Sequence, residues 1–161
     1  MIRPVELLRV LLDHRVRFIV VGGAAAVLQG VPINTLDLDI VYDRAADNIA
    51  NLGAALVNLD AVFRTDSRRL RPNESHLLSS GHKLLQTRLG VLDVLATIED
   101  ETGYADLLPH AEEIALGELR PLVLSLDRLI EVKRKLTRPK DQLMLLQLEA
   151  TRDERRKAER H

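Results

Sequence analysis

The chain has 161 residues, 46% of them apolar but only 2% aromatic, with no Cys, no Trp and a formal net charge of -1. That length and apolar content describe a single globular unit, residues 1–161, with a core built from Leu, Val, Ile and Ala. The missing thiols exclude disulfides and thiolate metal sites. The near-neutral charge gives no overall pull toward nucleic acid or an anionic membrane.

Base-stacking platforms are scarce, because Phe18, Phe63, Tyr42 and Tyr104 are the only aromatic residues and single-stranded nucleic-acid binders rely on such rings. No apolar run approaches the roughly 20 residues that span a bilayer. Met1-Ile2-Arg3-Pro4 lacks the basic-then-apolar pattern of a leader, so a cytoplasmic location without membrane partners is expected.

In chain order, Leu7, Leu8, Leu11 and Leu12 are spaced for a helix over 5–14. Phe18-Ile19-Val20-Val21 predicts a buried strand, Gly22-Gly23 a tight turn, and Ala24 to Leu28 a short helix stopped by Gly30 and Pro32. Leu36 to Tyr42 alternates as a strand, with Leu36, Leu38 and Ile40 facing the core. A helix over 46–59 and a short strand over 61–63 follow. Arg64 to Ser80, polar and containing Pro72 and Asn73, is expected to be a long surface loop of the functional kind.

Lys83 to Thr87 and Val91 to Ile98 predict a hairpin turning at Leu89-Gly90. Beyond it the pattern predicts a helix over 104–113, a strand over 120–124, and helices over 126–135 and from Pro139 onward, the last opened by proline in its first turn. Residues 152–161 are almost all charged and read as a solvated helix end or frayed tail. The mixture of helices, strands and a central hairpin implies an α/β domain with a mixed sheet flanked by helices.

The chemistry concentrates in Asp37-x-Asp39. Residues two apart on a strand share a face, so the two carboxylates project side by side and repel. A hard divalent cation relieves that repulsion, although the pair taken alone is weak evidence and an ordinary solvated strand face explains it more readily. Gly22-Gly23, between a buried strand and a helix, either lets a ligand approach the backbone near free helix N–H groups or is a plain strand-to-helix turn. Asp93 interrupts the otherwise apolar Val91-Leu92-Asp93-Val94-Leu95. A buried carboxylate needs a counter-charge, a metal or strong hydrogen bonds. It is therefore either a paired structural Asp or a third metal ligand. The histidine spacings fit no zinc site, and His76 and His82 read as surface residues.

The order Val20-Val21-Gly22-Gly23, Thr35-Leu36-Asp37-Leu38-Asp39-Ile40, Leu92-Asp93-Val94 resembles the nucleotidyltransferase superfamily of the DNA-polymerase-β type. The segment Leu124-Ser125-Leu126-Asp127-Arg128-Leu129-Ile130, followed by Lys133-Arg134 and Arg138-Pro139-Lys140-Asp141, is similar to the C-terminal helices of its bacterial stand-alone members, which include AbiEii-type toxins. The resemblance implies a nucleotidyltransferase fold with C-terminal helices. It also implies transfer of a nucleoside monophosphate from an NTP to an acceptor hydroxyl on RNA, protein or a small molecule.

On this resemblance Asp37, Asp39 and Asp93 would be the catalytic carboxylates and would bind two magnesium ions, or manganese in their place. Gly22 and Gly23 would cradle phosphates. Lys133 and Lys140 would either carry charge to the triphosphate or be solvated helix-end cations, with Asp141 available to pair with one of them. Many relatives carry a basic residue where Ile33 stands. The basic runs 68–71 and 133–140 offer contacts for RNA phosphates.

Two other functions fit some of these features. One is a non-catalytic toxin–antitoxin component that binds a cognate antitoxin or toxin. The other is a nucleotide-sugar glycosyltransferase, disfavoured because Asp-x-Asp comes after only one strand and a Gly-Gly turn.

Overall fold

The structure is a computed structural model that describes residues 4–160. The first helix, α1 (Pro4–Asp13), buries Leu7, Leu8 and Leu11 and packs on α3 (Ala46–Asn58). Between them run β1 (Phe18–Val21), buried along its whole length, the short α2 (Gly22–Leu28) and β2 (Asp37–Tyr42). The fully buried Asn48 of α3 fixes this layer to the sheet. Its side chain accepts from the Arg17 N–H and donates to the carbonyls of Arg17 and Asp43, at 2.6, 3.0 and 2.7 Å.

With β3 (Val62–Phe63), β4 (His82–Thr87), β5 (Gly90–Leu95), β8 (Ala111–Glu113) and β9 (Leu122–Leu124), seven strands form one mixed sheet in the order β3-β4-β5-β2-β1-β9-β8. The hairpin β4 (His82–Thr87) and β5 (Gly90–Leu95) turns at Arg88-Leu89. The Thr87 hydroxyl closes the turn by donating to the Gly90 carbonyl at 2.7 Å and accepting from the Leu89 N–H at 3.1 Å. Strand β5 lies parallel to β2, and β1 lies antiparallel to β2 and parallel to β9 (Leu122–Leu124). The C-terminal layer is α6 (Leu126–Arg134), capped by the Ser125 hydroxyl, followed by α7 (Pro139–Glu159). One apolar cluster runs from Leu7 through the sheet to Leu148.

Three segments depart from the sequence expectation. The loop predicted over 64–80 follows β3 (Val62–Phe63) and contains a helical turn, α4 (Glu74–Leu78). Asn73 caps it by accepting from the His76 N–H, and the His76 ring accepts from the Asn73 N–H. His in place of the usual Glu or Gln hides this capping box in the sequence. Leu77 is buried, and its carbonyl accepts from the Tyr42 hydroxyl.

The helix predicted over 104–113 lasts one turn, α5 (Tyr104–Leu107). A 3-10 turn at Leu108–His110 then leads into β8 (Ala111–Glu113), which pairs antiparallel with β9. Pro109 has no N–H to continue an α-helix, and pairing with β9 satisfies the following backbone instead. The strand predicted over 91–98 ends at Leu95, and β6 (Thr97–Ile98) pairs separately with β7 (Thr102–Gly103). The charged run after Arg152 stays helical through Glu159.

Candidate active site

Strand β2 builds the centre of the site. Leu38 and Ile40 are fully buried on one face and hold Asp37 and Asp39 on the other. Leu36 does not share in this anchoring. It lies before the strand and is 73% exposed. Thr35 does the local fixing instead, its hydroxyl meeting the N–H and carbonyl of Asp37 at 3.4 and 3.2 Å. Because β5 runs parallel to β2 with Asp93 directly opposite Asp39, the same face gains a third carboxylate. One oxygen from each of Asp37, Asp39 and Asp93 lies within 4.8 Å of the others.

Gly22 faces this group across the β1–α2 junction. Its φ is +64°, and a Cβ there would stand 2.6 Å from Asp39 Oδ2, closer than any side chain tolerates. The left-handed backbone favours glycine here, and a side chain would in addition displace the Asp39 carboxylate. A Cβ on Gly23 would stand 3.1 Å from the Thr35 hydroxyl.

The electrostatics are those of crowded acids. Burial, then the neighbouring charges of Asp93 and Asp37, pushes the Asp39 carboxyl up to about 7, with Arg64 opposing. Asp39 Oδ1 is buried without a hydrogen-bond partner. An orphaned oxygen beside two further carboxylates suits a hard divalent cation, which takes oxygen ligands and lowers the carboxyl pKa.

Arg64 is a site residue that the sequence reading missed. It follows β3, and its guanidinium holds both oxygens of Asp93 while also donating to the Leu85 carbonyl at 3.4 Å. The Asp93 hydrogen bond raises the Arg64 pKa. Asp93 is thus both a paired Asp and a member of the triad. The signal available in the sequence was the lone Arg directly after the apolar Val62-Phe63.

An apolar cavity of about 190 Å³ opens from Asp39 and Gly22 toward α6 and α7, walled by Leu95, Ile98, Leu129 and Met144. Lys133 reaches this wall, but its Nζ is paired with Asp141 Oδ1 at 2.9 Å. Asp141 is 0% exposed and also accepts from Arg138 Nε at 2.6 Å. Arg138 first, then Lys133, holds its carboxyl below the usual range. The Arg-Pro-Lys-Asp block thus fixes α6 to α7. Asp141→Asn weakens both bonds and is expected to lower stability by about 2 kcal/mol. Thermal melts check this, and an unchanged Tm would contradict it.

Lys140 lies exposed in the first turn of α7 and does not line the cavity. Ile33 packs partly buried against the core, so no basic residue stands at that point. His82 is exposed, and His76 is spent on the α4 cap. Arg68 and Arg71 are paired with Asp66 and Asp60 at 2.7 and 2.5 Å.

A mixed sheet whose second strand carries Asp-x-Asp opposite a Gly-Gly junction, with a third Asp in register on the neighbouring parallel strand, defines a nucleotidyltransferase fold. The comparison with solved structures agrees. A candidate nucleotidyltransferase from Thermotoga maritima, known from its crystal structure, superposes with a TM-score of 0.55 over 100% of this chain and 97% of its own, at 19% identity. No protein-family model and no curated protein matches the sequence. Among the described residues no helix is long and apolar enough to cross a membrane.

Proposed function

We propose that the protein is a divalent-cation-dependent nucleotidyltransferase that moves a nucleoside monophosphate from an NTP to an acceptor hydroxyl. The observation that carries this reading is the convergence of Asp37, Asp39 and Asp93 opposite the Gly22 backbone, with Asp39 Oδ1 left unpaired. The three carboxylates would hold magnesium, or manganese in its place. Bound there, the metal would supply charge stabilisation at the α-phosphate and activation of the acceptor hydroxyl.

The protein's own residues do the remaining work. Gly22 and Gly23 keep the backbone bare so that phosphate oxygens can approach the start of α2. The apolar walls of the cavity would shelter the nucleoside from water, with Lys133, its Nζ paired to Asp141, among the lining residues. The acceptor side lies across the triad. Sheet order places β3 and β4 on the opposite flank of the β5–β2 pair from β1 and β9, and a cleft there carries Arg64, Ser67, Arg69 and Gln86.

The test is incubation with magnesium, each α-labelled NTP and a cell extract as the source of acceptor. Label transfer by the wild type that is lost in EDTA and in Asp37→Ala is the expected result. Label transfer that survives Asp37→Ala, or none with any NTP, would sink the proposal.

A further inference from the structure

We propose that Arg64 is the positioning residue for Asp93, and that by holding this carboxylate it restricts the nucleotide-free protein to one tightly bound divalent cation. The inference rests on reading the triad as a metal site. It concerns which carboxylates are available to the metal and when.

The geometry separates the triad into unequal parts. Asp37 and Asp39 stand on β2, and among the described residues neither side chain has an ion-pair partner, the Arg64 charge acting on them only from across the triad. Asp93 is gripped by the guanidinium fork at both oxygens. Its side chain is 12% exposed and that of Arg64 28%, so water screens this pair poorly. The Leu85 carbonyl seats the same guanidinium from β4.

Two consequences follow for a cation. Lone pairs of Asp93 that face Arg64 are occupied by N–H donors. A divalent ion at Asp93 would also stand beside a fixed positive charge, a repulsion that is felt strongly at this range and burial. The first ion therefore loads on Asp37 and Asp39, and Arg64 opposes a second. An anionic triphosphate reverses the balance by adding negative charge that offsets the fixed charge of Arg64. Asp93 then becomes available only when the donor is present.

The experiment counts bound manganese, from the electron paramagnetic resonance of the free ion, in the wild type, Arg64→Gln and Arg64→Lys. Circular dichroism shows that each variant is folded. The wild type without nucleotide is expected to bind one ion tightly and a second at least about tenfold more weakly. A non-hydrolysable NTP should bring the second ion on. Arg64→Gln should strengthen the second ion by about tenfold or more without nucleotide, whereas Arg64→Lys, which keeps the charge, should leave it weak.

Two ions of equal affinity in the nucleotide-free wild type would overturn the assignment without reference to any variant. So would a folded Arg64→Gln whose second-ion affinity is unchanged or lower. Either result leaves the nucleotidyltransferase reading standing. If the wild type binds no manganese with or without nucleotide, the metal reading of the triad fails and this inference fails with it.

Discussion

Replacing Asp39 by Asn is expected to eliminate nucleotidyl transfer while making the metal-free protein more stable. Loss of a shared metal ligand removes charge stabilisation worth several kcal/mol, so activity should fall by about a thousandfold or more. The stability effect follows from the raised carboxyl pKa of about 7, caused first by burial and then by Asp93 and Asp37. An acid whose folded pKa lies above its unfolded value binds its proton more tightly in the native state. Stability from this group is therefore highest below pH 4. It declines as pH rises toward about 7 and stays low above that value.

Asn carries no charge at any of these values, so the variant escapes the decline. The gain above pH 7 should be on the order of a few kcal/mol, or about 5–10 °C in Tm for a domain of this size. Thermal melts in EDTA from pH 5 to 8 should show the gap between Asp39→Asn and wild type widening with pH. On the proposed metal reading, added magnesium should raise the wild-type Tm and leave that of Asp39→Asn little changed. A gap that is constant with pH would mean that Asp39 is not the strained acid of the site.

Gly22→Ala is expected to damage both fold and site. A non-glycine residue in the left-handed region costs about 1–2 kcal/mol. The added methyl would also collide with Asp39 Oδ2, at 2.6 Å. The total should reach about 2–4 kcal/mol, with metal affinity falling as Asp39 is displaced. Gly23→Ala is the internal comparison. Its φ is not in the left-handed region and its neighbour, at 3.1 Å, is a hydroxyl that can shift, so its cost should be smaller.

Because the clash is with the Asp39 side chain, Gly22→Ala should be less destabilising when combined with Asp39→Ala than in the wild-type background. That coupling is measurable by a double-mutant cycle. Additive effects in denaturant unfolding would show that Gly22 and Asp39 do not touch.

The parts of the molecule legible in the sequence are those set by local pattern. The alternation of Leu38 and Ile40 with Asp37 and Asp39 located β2 and its two faces, and the apolar run around Asp93 located β5. What made them one site was pairing between strands more than fifty residues apart. The register that sets Asp39 against Asp93 is a tertiary fact, and resemblance to a known motif, not periodicity, anticipated it.

Local reading failed where a distant partner decided the outcome. Ala111–Glu113 looks helical in isolation and becomes a strand because β9 offers an edge. Leu36 continues the alternation in sequence but lies outside the strand. Arg64 was hidden for the same reason, since its partner Asp93 is brought to it only by the β3-β4-β5 arrangement. The opposite holds for Lys133 and Asp141. A pair between Asp141 and one of the nearby cations was among the expectations, and the structure places Lys133 at the cavity while binding its charge to Asp141.

The central claim is that the carboxylates of β2 and β5 hold the metal that activates a nucleotide. The most direct measurement is a crystal structure grown with manganese and a non-hydrolysable NTP, read from the anomalous signal of the metal. Manganese is expected at Asp37 and Asp39 and also at Asp93, with the triphosphate against Gly22 and the nucleoside in the cavity walled by α6 and α7. A nucleotide bound elsewhere, or a β2 carboxylate pair without manganese when the nucleotide is bound, would contradict the claim.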